Sequence, residues 1–176
     1  MLFMECPPDA IDHMILAWRE ALPDLDPSGL ELVGRVLVLA KHLEHSVAGS
    51  LQAHKLSLGQ FDILATLRRQ GPRGGLTPGK LLESVMLSSG GMTARLTRLE
   101  EEGLIVRRPD PDDRRGVVVE LTPKGCKRIE AATATRFEEA NASLPPLKRS
   151  ELQSLACYLR KWLATVEAQK ANDSQK

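Results

Sequence analysis

The run SSGGMTARLTRLEEEG, residues 88–103, places two arginines, Arg95 and Arg98, among hydroxyl residues and closes on three glutamates. A guanidinium is always charged, and its planar fork of donors fits phosphate, carboxylate or a base edge. Two adjacent glycines open the run, each costing a helix roughly 1 kcal/mol relative to alanine. Something must therefore come close to this backbone, and the free amides and dipole of a starting helix favour an anion there. A second basic pair, Arg114 and Arg115, lies in PDPDDRRG, residues 109–116, where Asp113 can hold Arg115 by a short-range ion pair.

The charge around these residues is uneven. Residues 55–128 hold 14 Lys and Arg against nine Asp and Glu, whereas the rest of the 176-residue chain is net acidic. A basic middle between acidic ends implies an anionic partner for the middle. Length and composition fit one globular domain. The three cysteines, Cys6, Cys126 and Cys157, are odd in number and irregularly spaced, which suits a reducing cytoplasm. No signal peptide and no run long enough to span a membrane is expected.

The elements that must position the arginines follow from periodicity and punctuation. Ile11, Met14, Ile15, Trp18 and Leu22 form one stripe of a helix over 9–22. Ser28-Gly-Leu-Glu31 reads as a capping box opening a long helix to about residue 53. Val33, Val36, Ala40, Leu43, Val47 and Leu51 form its apolar face. A third helix spans 58–69, and Thr77-Pro78 starts a short fourth one to about Val85. After the 88–103 helix the pattern turns extended at 104–108 and 117–121, joined by the charged loop as a hairpin. Thr122-Pro123 starts a helix to about Asn141. Pro145-Pro146 breaks it, and a last amphipathic helix from Ser150 turns Leu152, Leu155, Leu159, Trp162, Leu163 and Val166 inward, with a frayed tail from Ala168.

Two short helices, a tight turn and a charged hairpin make a winged helix-turn-helix. The fold expected is mainly α with a small β wing. The 88–103 helix would enter a DNA major groove by its N-terminal residues. Met92, Leu96 and Leu99 face the core. Ser88, Ser89, Gly90, Thr93, Thr97 and Arg98 face the duplex, with Thr77 and Lys80 at the start of the preceding helix. Arg114 and Arg115 suit a narrow minor groove, whose negative potential attracts guanidinium.

The stretch from Gln60-Phe61-Asp62 to Leu121-Thr122-Pro123-Lys124-Gly125, and most specifically residues 88–125, resembles the MarR family of bacterial transcription regulators. That resemblance implies a homodimeric repressor that reads a palindromic operator. Residues 1–56 and 126–176 would supply dimerisation helices, and 57–125 the DNA-binding lobe. The additional helix at 9–22 is similar to the urate-responsive branch (the HucR and PecS type). There the resemblance implies a ligand set of Trp18, Asp62, Arg95 and Arg107, with Arg95 33 residues after Asp62 and 12 before Arg107. The chemistry suits a flat oxidised purine such as urate or xanthine. Arginine offers a bidentate fork, aspartate accepts from ring N–H groups, and indole N–H donates to a carbonyl. Arg107 also lies within reach of a DNA role.

Other readings are weaker. A redox sensor would need a low-pKa thiol, and nothing basic flanks Cys6. Zinc would need more than His42 and His45 three apart on a helix, with Glu44, His13 and His54 scattered. No nucleophile elbow, phosphate-cradling loop or metal-binding helix motif marks an enzyme, and no motif requires a cofactor. An architectural DNA binder without a ligand is the remaining alternative.

Overall fold

The computed structural model describes residues 7–71, 74–84, 91–110 and 116–173. Asp9 starts the first helix, α1 (Ala10–Ala21), by accepting from the Ile11 and Asp12 amides, while the Asp12 carboxylate reaches back to the Asp9 amide. This reciprocal cap satisfies donors that a helix start leaves orphaned. Along its length α1 buries Ile15 and packs Ile11 against Gly34 of α2 (Leu30–Gln52). Arg35 of α2 then holds α1 by its start, with Nε 2.9 Å from Asp9 and Nη2 2.6 Å from Asp12.

The expected Ser28–Glu31 capping box does not form. Gly29 is the N-cap and carries no side-chain bond. Ser28 instead donates its amide and hydroxyl to Asp26, at 3.0 and 2.9 Å, and Glu31 pairs with Arg19 at 3.6 Å. A carboxylate two residues upstream accepts more strongly than a hydroxyl three residues from the amide it should cap, so the local Asx turn wins. The apolar face of α2 is also only partly inward. Val47 and Leu51 are buried, whereas Val33 and Leu43 are exposed, as are Leu32, Leu37 and Leu39.

Helix α3 (Leu58–Arg69) begins at a Ser57–Gln60 capping box and carries Ile63, Leu64 and Leu67 into the core. Thr77 caps α4 (Pro78–Ser84), its hydroxyl accepting from the Lys80 amide at 3.3 Å. Then comes α5 (Met92–Glu101), with Gly91 as N-cap at φ +79°. That left-handed conformation gives Gly91 a backbone reason to be glycine, independent of any partner. Strands β1 (Ile105–Pro109) and β2 (Val117–Leu121) pair antiparallel with Arg107 opposite Val119. Leu76 exchanges two further backbone bonds with Val119, at 3.1 and 2.8 Å, which ties the root of the hairpin to the entry of α4.

Helix α6 (Pro123–Ala142) is set by Thr122, whose hydroxyl accepts from the Gly125 amide and donates to the Gly103 carbonyl. At Gly125 a Cβ would stand 2.0 Å from the Leu104 carbonyl oxygen, so helix and strand meet there without room for a side chain. The chain divides into two compact units, residues 1–139 and 140–176. In the second, α7 (Arg149–Asp173) runs through the expected frayed tail, because Ala168-Gln-Lys-Ala are good helix formers and propagation is cheap once a helix exists. Leu155, Leu159 and Leu163, expected inward, are exposed in the single chain.

Two outcomes follow. Gly125→Ala should lower stability by about 1–3 kcal/mol or more through overpacking, measured by urea unfolding. The docking of α1 should also depend on pH. The Asp12 amide, above all, holds the Asp9 carboxyl below the usual range, and Arg35 does the same for Asp12. Groups depressed in the folded state stabilise it above their ordinary pKa, about 3.9, and that contribution is lost as pH falls through the depressed values. Trp18 fluorescence in a Trp162→Phe background should therefore stay constant from pH 7 to about 5 and change below about 4. Arg35→Gln should shift the signal already at pH 7.

Candidate nucleic-acid interface and effector site

Along α5 the side chains divide cleanly between two faces. Met92, Leu96 and Leu99 are buried, and Thr93, Thr97 and Arg98 are exposed. The Arg98 guanidinium pairs with Glu102 one turn on, at 3.2 Å, yet its side chain stays 72% exposed. An exposed pair at this spacing is worth about 0.3–0.5 kcal/mol, little enough to be exchanged for a phosphate or a base edge. Lys80 is exposed one turn into α4, and the half-buried Thr77 caps that helix. The expected contacts Ser88, Ser89, Gly90, Arg114 and Arg115 lie outside the described residues.

Arg95 behaves differently from Arg98. It is half-buried and turned onto α3, where a Cβ on Gly59 would stand 2.7 Å from its Nε. The bare backbone at Gly59 makes the berth for this guanidinium. Asp62, three residues further along α3 and thus on a neighbouring face, is 8% exposed. The fold therefore brings Arg95 and Asp62 to the same part of the lobe.

Another buried polar side chain of α3, missed from the sequence, is Gln60. It is 5% exposed, and its Oε1 accepts from the Ser57 amide at 3.0 Å. Its Nε2 has no hydrogen-bond partner among the described residues. An unsatisfied buried donor costs about 1–3 kcal/mol, and a carbonyl acceptor would relieve it. Neither its capping bond to Ser57 nor its unsatisfied amide was read from the sequence.

The other two expected ligand residues stand apart in the single chain. Arg107 is exposed on β1, with Nη1 3.5 Å from Glu100 at the end of α5. Trp18 is 47% exposed and lines a cleft of about 300 Å3 with Leu22, Leu25, Asp26, Pro27 and Leu30, at the corner between α1 and α2. Asp26 gives this cleft an acidic edge, its carboxyl held below the usual range chiefly by the Ser28 amide. Cys126 and Cys157 are free and half-buried, and Cys6 is outside the described residues. Among the described residues no three His, Cys, Asp or Glu side chains are placed to hold a metal ion, and no helix is long and apolar enough to cross a membrane.

A short helix, a second helix with one apolar and one polar face, and a tethered two-stranded hairpin define a winged helix-turn-helix protein of the nucleic-acid-reading class. Comparison with known proteins agrees. The family model described as "MarR family" matches residues 56–117. The HTH-type transcriptional regulator PecS of Dickeya dadantii (strain 3937) is 30% identical over 163 residues, covering 93% of this chain and 96% of PecS. The chain belongs to the MarR family of transcriptional regulators. Its fold is shared with a MarR-like transcription regulator from Bacillus cereus ATCC 10987, at TM-score 0.71 and 21% identity over 80% of this chain and 99% of the other. It is shared also with Staphylococcus aureus MepR, solved as a DNA complex, at TM-score 0.67 and 22% identity over 76% and 97%.

If Gly59 is bare to admit Arg95, Gly59→Ala should displace that flexible side chain and leave the fold intact. The stability change should stay within about 1 kcal/mol, while the Arg95 Nε–H signal in NMR, assigned through Arg95→Lys, should shift. A loss as large as that expected for Gly125→Ala would mean that something other than Arg95 fills the space.

Proposed function

We propose that this MarR-family regulator is a cytoplasmic homodimeric repressor, released from a palindromic operator by urate or a related oxidised purine. One observation carries the reading: on a single short helix, Arg98 faces outward while Arg95 turns back onto α3 at Gly59. Arg98, Thr93 and Thr97, with Ser88, Ser89 and Gly90 before them, then read the major groove. Thr77 and Lys80 hold the backbone, and Arg114 and Arg115 enter the minor groove from the wing.

Asp62 and Arg95 form the core of the effector site. An oxidised purine anion meets the Arg95 fork, and its ring N–H groups donate to Asp62. Trp18 supplies an apolar wall and Arg107 a second guanidinium, each brought in by the dimer or by the bound state. An anion that takes Arg95 binds one position of α5 better than the other, and this difference in affinity lowers DNA binding. The similarity to PecS along most of both chains supports this branch of the family.

The dimer rests on the uncovered apolar faces. Leu32, Leu37 and Leu39 of α2 are 56–65% exposed, and Leu155, Leu159 and Leu163 of α7 are 43–56% exposed. Apolar stripes of this kind mark association surfaces, and a second copy covers them symmetrically. Two lobes related by a two-fold axis would read half-sites about 34–36 Å apart.

Gel retardation on the neighbouring intergenic DNA, titrated with urate, xanthine and hypoxanthine, tests the whole reading. Arg95→Ala should abolish the urate response and leave basal operator affinity within about threefold, whereas Arg98→Ala should cost about 1–3 kcal/mol of operator binding. Arg115→Ala should reduce the salt slope by about one unit. Loss of DNA binding in Arg95→Ala, with a urate-induced thermal shift intact, would show that Arg95 serves DNA instead.

A further inference from the structure

The end of α2 and the first turns of α6 flank a groove of about 390 Å3, lined by Ala53, His54, Lys55, Lys124, Lys127, Arg128 and Ala131. Its volume falls within the roughly 300–1,000 Å3 of small-molecule sites. Four of the seven lining residues are permanent cations, and no carboxylate is among the described residues that line it. His54 is held in place by Thr135, with Nε2 2.8 Å from the hydroxyl.

Ordinary helix stabilisation does not explain this crowding. Lys55 is the one non-glycine residue with positive φ among those described, at +55°. That conformation is strained for an L-residue, and glycine or asparagine adopts it more easily. Lys124, at the second position of α6, faces the positive end of that helix's dipole, where a cation is unfavourable. Among the described residues, Lys124 bonds to the Glu102 carbonyl at 2.6 Å, at the carbonyl end of α5, and has no carboxylate partner. Neither Lys55 nor Lys127 has an ion-pair partner among the described residues. Like charges gathered in this way are relieved by an anion.

The groove connects to α5 through one carboxylate. Glu102 Oε2 lies 3.5 Å from Arg128 Nη1, and its Oε1 lies 3.2 Å from Arg98 Nε. Arg98 on the polar face of α5 and Arg128 in the groove therefore share Glu102.

We propose that this groove is a second effector site, which takes a small polyanion bearing phosphate or pyrophosphate and weakens operator binding when filled. The anion draws Arg128 away from Glu102, and the carboxylate then holds Arg98 more tightly and keeps it from the DNA. A free anion fits better than a backbone phosphate of the operator. Glu102 lies beyond the far end of α5, about 15 Å from the Gly91 end. The site shares no residue with Asp62 and Arg95, whose chemistry suits a flat ring with donors and acceptors. The regulatory half of this proposal rests on the DNA role given above to Arg98.

Inorganic pyrophosphate is the probe, titrated into the full-length protein by calorimetry in magnesium-free buffer at ionic strength fixed with chloride. The wild type should bind it, and Lys55→Asn/Lys127→Gln, which keeps a residue tolerant of positive φ at 55, should bind at least tenfold more weakly. The double variant should keep an unchanged thermal shift with urate. Saturating pyrophosphate should raise the operator Kd of the wild type at least fivefold, and should not do so in Arg98→Ala. No binding above the chloride background, or equal binding by the double variant, overturns the site. So does a fall of about two units in the operator salt slope of the double variant, which would assign the lysines to backbone phosphates. Pyrophosphate binding that leaves operator affinity unchanged overturns the regulatory half. If Arg98→Ala alone leaves operator affinity unchanged, the reading of Arg98 has failed while the anion site stands.

Discussion

The lobe depends on how α5 is clamped by its three apolar residues. A ten-residue helix is too short to be stable alone in water, so its form and its rotation come from burial. Met92, Leu96 and Leu99 each contribute on the order of 1.5–3 kcal/mol on burial, and together they allow one rotation about the helix axis. At about 100° per residue, Arg95 then falls roughly 70° from the centre of the buried stripe and Arg98 roughly 130° from it. One arginine sits at the edge of the core and the other faces outward. Their different surroundings follow from helical period and three hydrophobic side chains, before any partner is considered.

Much of this was legible in the sequence because it depends on local rules. The Thr-Pro pairs at 77–78 and 122–123 mark helix starts, and the bounds 58–69 and 117–121 agree with α3 and β2. The same rules misled at Ser28. A serine followed three residues later by a glutamate reads as a cap, but Asp26 lies close enough to compete and its charge decides the outcome. Along α2 and α7 the apolar period was plain, yet a period shows only that a face needs covering. It does not show whether the covering is within the chain. Here Val47 and Leu51 are covered by the chain's own core, and Leu32, Leu37, Leu155 and Leu163 are not.

The candidate site was less legible, for a different reason. The spacing between Asp62 and Arg95 pointed to a resemblance, but the berth that brings them together is an absence, the missing side chain of Gly59. Gln60 gave no signal of its own in the sequence, and only packing shows that its oxygen caps α3 while its amide nitrogen is buried with no partner among the described residues. Trp18 fell on the apolar stripe of α1, where core packing was the default expectation. It is instead half exposed beside a cleft, because Ile11 and Ile15 take the close contact with α2 and the helix leaves the lobe's core to others.

The two ends of α5 are held by different physics, and this bears on how ligands can move it. Its start is a glycine in the left-handed region with no side-chain cap. Its end is a junction of charges: Glu100 meets Arg107 of the wing, Glu102 meets Arg98 and Arg128, and Lys124 holds the Glu102 carbonyl. Exposed pairs of this kind contribute about 0–1 kcal/mol each, so none fixes the helix. Together they span about the 1–3 kcal/mol over which one site usually alters affinity at another. The apolar stripe keeps α5 seated on the core and limits it to small shifts. The charges at its end set which arginines are free, at an energy that a small anion can overcome. A small anion would therefore act on α5 through the partners of Arg95, Arg98 and Arg107, shifting the helix while its apolar stripe stays buried.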